Sequence, residues 1–260
     1  MAIIPLRAWY IDRYEPLTEL VKRPHSLRLN RSSLLKSALR ADFLDESKTI
    51  EQSPWFNYYL EGEKMEFYIE GSGYYAIANI DLISQEIYFT KQESQVTLEP
   101  TIYFSAQTQY PEGNRMVEAA IAKTLKQLNP KSRLKLKVVR SPRLPGQPLR
   151  LSKLQFRQIR KSLLFIADTT AIAQLPEQNL SLPSPEVSVE IGYALDHKPL
   201  EHILLIHQQR PEFPGTFPFD ISQHHQLTFK EESDLGETLP TMVMTLLHRF
   251  NLFSHTLTEE

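Results

Sequence analysis

Two carboxylates stand where their surroundings allow chemistry. Glu190 lies in residues 183–199, PSPEVSVEIGYALDHKP. The stretch carries helix signals: Ser184 suits the N-cap, Pro185 the first helical position and Glu186 the first turn, while Lys198 and Pro199 close it. At ~100° per residue, Val187, Ile191 and Ala194 form one apolar stripe, and Glu190 falls about 60° from its centre. A carboxylate at the rim of an apolar face is only partly hydrated and can face a substrate pocket. Asp168 stands just past the apolar part of residues 163–170, LLFIADTT. Each residue also has a plain structural reading. Glu190 then serves as a soluble rim on a helix surface, and Asp168 as a cap or loop hydrogen-bonder after a strand.

The elements around them alternate. TIYFSAQ (101–107) reads as a strand and NRMVEAAIAKTLKQLN (114–129) as a helix, with Val117, Ile121, Leu125 and Leu128 on one face. LKLKVVR (134–140) is a strand and LSKLQFRQIRKS (151–162) a basic helix. LLFIADTT is apolar enough to be a central strand covered on both sides. The Glu190 helix follows, then HILLIHQ (202–208) and HQLTFK (225–230) as strands. A last helix carries Leu239, Met242, Val243, Leu246, Leu247 and Phe250. Strand-helix alternation predicts a doubly wound, mostly parallel α/β sheet over residues 98–260. In such sheets ligands sit beyond the carboxyl ends of the strands. That rule gathers Asp168 and Glu190 on one cleft, with Ser105, Tyr110 and Arg115 after the first strand as its other wall.

Residues 1–95 follow a different pattern. MEFYIEG (65–71), YYAIANID (74–81) and EIYFTKQ (86–92) are short aromatic and β-branched runs separated by turn signals, as in an antiparallel meander. EPLTELVKR (15–23) and SSLLKSALRADFL (32–44) have helical spacing. A small α+β module, of a role the sequence does not give, is expected before the α/β domain.

Composition narrows the classes. Hydrophobic residues make 41% and charged residues 23%, the balance of a globular protein, and the net charge is −2. No apolar run approaches the ~20 residues that span a bilayer. The start, MAIIPLRAWYIDRYEP, has too short an apolar core for a signal peptide, so a cytoplasmic location is expected. The absence of cysteine removes thiol chemistry and Cys-ligated zinc. His202 and His207 point to opposite faces of a strand, so no metal site is expected. No GxGxxG, Walker loop or GxSxG is present. Residues 131–161 hold eleven Lys or Arg and no acid, and residues 22–40 repeat the bias. With no nucleic-acid motif beside them, these read as a solvated basic face rather than a polynucleotide site.

FIADTT, then SPEVSVEIGYALDHKP, HILLIH and PFDI, together with YFSAQTQYPEGNRMVEA, resemble the nucleoside 2-deoxyribosyltransferases and related TIR-like domains over about residues 98–260. In those families a strand ending in Asp is followed by a capped helix with Glu-Leu-Gly or Glu-Ile-Gly, then Lys-Pro. Ser184 and Glu186 stand where the family's cap has Asn. The resemblance implies a site acting on an N-glycosidic bond of a nucleoside, nucleotide or NAD. Glu190 would attack the anomeric carbon or stabilise an oxocarbenium-like centre. Asp168 would hold the sugar or base, and Ser184 and Tyr193 would line the substrate, although Tyr193 also suits a packed aromatic. No cofactor is implied. The partners to expect are a nucleoside or nucleotide and, for an assembly, a second copy of the chain. The alternative is the same fold without turnover, as a nucleotide-sensing or assembly module.

Overall fold

The computed structural model describes residues 5–36, 39–44, 47–92, 98–143, 152–218 and 220–253. The chain divides into two compact units, Met1–Thr97 and Leu98–Glu260.

In the first unit, strands β1 (Pro5–Ile11), β2 (Leu27–Lys36), β3 (Leu39–Leu44), β4 (Glu66–Ile69), β5 (Gly73–Asp81) and β6 (Glu86–Lys91) close into an antiparallel barrel of order β1-β2-β3-β6-β5-β4. Short helices α1 (Leu17–Leu20), α2 (Ser47–Glu51) and α3 (Pro54–Leu60) interrupt them. Ile50, Trp55 and Phe56 from α2 and α3 join Leu27, Leu29, Phe67, Ile87 and Phe89 in the barrel core. The meander expected from residues 65–92 is β4 to β6. The helix expected over residues 32–44 is instead the end of β2 and all of β3, paired Leu29 with Leu44 and Lys36 with Leu39. Its Leu, Lys, Ala and Arg favour helix locally, but barrel closure between β1 and β6 needs these two strands, and tertiary pairing overrides weak propensity. Asp42 obscures the alternation by facing inward, where the Arg40 guanidinium donates to it at 2.5 Å.

The second unit holds β7 (Glu99–Ser105), β8 (Lys137–Arg140), β9 (Ser162–Asp168), β12 (Ile203–Gln208) and β13 (Gln226–Phe229) in one sheet of order β13-β12-β9-β7-β8, every ladder parallel. A small hairpin, β10 (Ala173–Leu175) with β11 (Leu180–Leu182), stands between β9 and the next helix. Helices α4 (Pro111–Leu128), α5 (Lys153–Lys161), α6 (Pro185–His197) and α7 (Glu232–Leu247) connect or follow the strands. All seven residues of β9 are buried, as a central strand covered on both faces requires. Tyr103, Phe165, Ala167, Ile203 and Leu205 pack on Ile159 of α5 and on Val187, Ile191 and Ala194 of α6. The pleat turns Ile102, Phe104, Leu164 and Ile166 to the other face, where α4 and α7 pack together. β8 is shorter than the expected strand because the Asn129 side chain occupies both backbone groups of Leu136, donating to its carbonyl at 3.1 Å and accepting from its N–H at 2.8 Å.

Among the described residues, no helix is long and apolar enough to cross a membrane.

Candidate functional site

The strand order places a switch point between β7 and β9: the chain leaves β7 toward β8 on one side and returns to β9 on the other. The crevice at such a point, beyond the carboxyl ends, is where doubly wound sheets bind ligands.

Glu190 sits on the α5/α6 face of that edge. Its helix starts as the sequence predicts, with Ser184 at the N-cap and Pro185 first. The stripe that buries Val187, Ile191 and Ala194 also takes Glu190 fully out of solvent. A buried carboxylate needs partners, and the chain supplies them to one oxygen. Arg143 donates from Nη1 to Oε1 at 2.7 Å, and the Gln155 side-chain amide donates to the same atom. Arg143 is itself anchored, because its Nε donates to the Ala106 carbonyl just past β7 at 2.8 Å. Gln155 is buried on α5, whose N-cap Ser152 accepts from the Gln155 N–H at 3.1 Å. Oε2 of Glu190 has no hydrogen-bond partner, and neither do Arg143 Nη2 and Ser105 Oγ. Burial and then the Glu190 charge push the Tyr103 phenol up, so it stays protonated. One charged pair and its surroundings therefore hold several buried polar atoms with unused capacity, a pattern that calls for an explanation in a ligand, an ion or water.

Asp168 lies at the end of β9, also fully buried. Its Oδ1 accepts from the Thr170 N–H at 3.1 Å and its Oδ2 has no partner. Burial pushes its carboxyl up to about 6, against the opposing pull of the Thr170 and Gln107 polar groups beside it. Because Phe165 and Ala167 face α5 and α6, the pleat turns Asp168 to the opposite face. Asp168 and Glu190 thus flank the switch point from two sides and share no hydrogen bond.

The remaining expected residues separate. Ser105 follows Tyr103 by two on the Glu190 face and is buried. Ser184 is buried at the start of α6, its hydroxyl 3.2 Å from Glu186 Oε2, which also accepts from Gln109 at 3.0 Å. Tyr110 precedes α4, and the Arg210 guanidinium stacks 4.1 Å from its ring centre. Gly113 makes room for that ring, since a Cβ there would lie 2.6 Å from it. Arg115 is exposed on α4. Tyr193 stacks between Phe156 at 4.3 Å and His197 at 4.1 Å, which makes it the packed aromatic.

Arg143 and Gln155 are partners that the sequence reading missed. Gln155 carried a signal: it stands four residues before Ile159 on the buried stripe of α5, a polar residue at a core position. Arg143 lay hidden within the basic stretch, of which residues 144–151 fall outside the described residues. Other cations of that stretch pair with acids, Arg140 with Glu118 at 3.5 Å and Lys161 with Glu99 at 3.1 Å.

A second feature shares the carboxyl edge. A cleft of about 420 Å³ opens beyond β9, β12 and β13, lined by Thr169, Ser181, His207, Gln208, Arg210, Phe213 and Phe217 among others. Burial lowers the pKa of His207. Among the described residues, no group of three or more His, Asp or Glu is placed to hold a metal ion. Compared with models of known protein families and with curated proteins, the chain matches none.

Proposed function

We propose that residues 98–260 bind a nucleoside or nucleotide at the switch point and cleave, or transfer at, its N-glycosidic bond through Glu190. The observation that carries this reading is the free Oε2 of a fully buried Glu190 whose Oε1 is held by Arg143 and Gln155. Two donors on one oxygen fix the carboxylate plane and leave the other oxygen for a reacting atom. As the bond between the anomeric carbon and the base nitrogen breaks, its electron pair leaves with the base, which then takes up a proton. The positive charge left on the sugar is met by Oε2, either as a developing ester bond or as an ion pair. Water or an acceptor nucleophile then attacks the anomeric carbon and restores the free carboxylate. The resemblance of the Asp168 and Glu190 segments to the deoxyribosyltransferase and TIR-like families supports the substrate class.

A second reading is a binding module without turnover. The ion pair with Arg143 favours it, because it already neutralises the charge that a glycosyl cation would use. Glu190→Gln separates the two. Nucleosides, nucleotides and NAD are incubated with the wild-type chain and the variant, and released free base is measured. Turnover is expected in the wild type, with a loss of ~10²-fold or more in the variant. No free base from any of these substrates, with binding altered by the substitution, would replace catalysis with the binding module.

A further inference from the structure

The cleft beyond β9, β12 and β13 is built rather than incidental. The segment after β12 is tied to the β10–β11 hairpin on both sides: the Thr216 N–H donates to the Asn179 carbonyl and the Ser181 N–H to the Thr216 carbonyl, each at 2.9 Å. Gly215, at φ +143°, permits that approach, since a Cβ there would lie 2.9 Å from backbone atoms of the hairpin. Arg210 donates to the Ala171 carbonyl at 2.9 Å, and its guanidinium is stacked on Tyr110 and, at 4.7 Å, on Phe213. At the base, the Thr169 hydroxyl donates to the Ile206 carbonyl at 3.1 Å, which leaves its lone pairs as acceptors.

The lining selects a ligand class. Among the described residues that line the cleft there is no carboxylate, so it does not suit a cation. Among the described lining residues the one permanent cation, Arg210, is already bonded to Ala171 and stands 3.7 Å from Glu212, so the cleft does not suit a polyphosphate. What remains is aromatic and neutral-polar: Phe213, Phe217, His207, Thr169, Gln208 and Thr228. The His207 and Phe217 rings lie parallel within 3°. His207 Nε2 shares a hydrogen bond with Thr228 at 2.9 Å, which orients the imidazole. Flat apolar faces with fixed amide and hydroxyl groups recognise flat rings with polar edges.

We infer that this cleft is a second binding site, for a flat, uncharged heteroaromatic ring that carries its own hydrogen-bond donors and acceptors. Neither Glu190 nor Asp168 lines it, so it stands whether or not Glu190 turns over a substrate. The volume holds one such ring with a small substituent. Burial, which lowers the His207 pKa, keeps that wall uncharged at neutral pH.

Calorimetric titration of the full chain with adenine, thymine and nicotinamide tests this, with cyclohexanecarboxamide and inorganic phosphate as controls. At least one planar compound is expected to bind with Kd below about 1 mM, and the controls are expected not to bind. Phe217→Leu keeps apolar bulk but removes the ring, and should weaken binding about fivefold or more. Ring-proton shifts of His207 and Phe217 in the wild-type chain should move on titration, a readout that needs no variant to fold. The site is overturned if no planar compound binds or if cyclohexanecarboxamide binds as tightly. It is also overturned if Phe217→Leu, folded, binds as the wild type does or if the His207 and Phe217 shifts stay fixed. Ring-proton shifts of Tyr103, beside Glu190, that move in place of those of His207 and Phe217 would place the ring at Glu190 and end the two-site proposal.

Discussion

Asp168→Asn separates a group kept for stability from one kept for something else. Asp168 has no solvent exposure, and its Oδ2 meets no donor. Its carboxyl is raised from 3.8 to about 6, with burial as the main cause. Between those two values the folded chain holds a proton that the unfolded chain has lost. The relative stability this gives is full below 3.8 and disappears as pH rises through 6. About two pKa units correspond to roughly 3 kcal/mol of burial cost at neutral pH. Asn has nearly the same shape, can accept the Thr170 N–H through Oδ1, and cannot ionise. Urea unfolding of both proteins between about pH 4.5 and pH 8 measures the difference. The variant should gain on the wild type by roughly 2 kcal/mol across that interval and be the more stable protein at the alkaline end. A difference that stays flat with pH would refute the reasoning, because it would mean that Asp168 does not bear its charge at a desolvation cost.

Arg143→Leu strands the buried Glu190 carboxylate and should cost roughly 3–5 kcal/mol in chemical denaturation; adding Glu190→Leu should recover most of it, and an additive double-mutant cycle would deny the pair. Gly215→Ala forces a side chain into a left-handed conformation against the hairpin backbone and should destabilise by roughly 1–3 kcal/mol, while a change within about 0.5 kcal/mol would show that the loop relaxes freely.

How far the sequence discloses this molecule depends on which physical force fixes each part. The parallel sheet is legible because β9 is apolar from Leu163 to Ala167 and each helix around it carries a stripe, so burial alone writes the pattern. The barrel is less legible. β2 and β3 have an alternating start at Leu27 and Leu29, but they continue into helix-forming residues and place Asp42 inside, and only pairing with distant strands decides their state. For the site, the periodicity of α6 locates Glu190 near its apolar face. Full burial of the side chain depends on Gln155 from α5 and Arg143 from the segment after β8, which no spacing within α6 can reveal. The opposite facing of Asp168 and Glu190 comes from one-residue parity in β9, finer than element-level reading resolves. His207, Arg210 and Phe217 gather only because the hairpin captures the segment after β12.

The two ladder systems also set different folding schedules. In the barrel, β1–β2, β2–β3, β4–β5 and β5–β6 join strands that are consecutive in the chain, and only β1–β4 and β3–β6 are long closures. The sheet contains no hairpin: Tyr103 of β7 meets Phe165 of β9, and β9 alone joins β7 to β12. Loops that long must close before their contacts give any return. During synthesis the barrel can form its local pairs and then close β1–β4 and β3–β6, while β7 and β8, already made, await the central strand that covers their neighbouring edge. The residues that pass through the ribosome between β8 and β9 thus mark an interval in which an apolar parallel edge is open. The fold limits the hazard on the outer side of that pair, where the edge strand β8 carries Lys137 and Arg140 exposed.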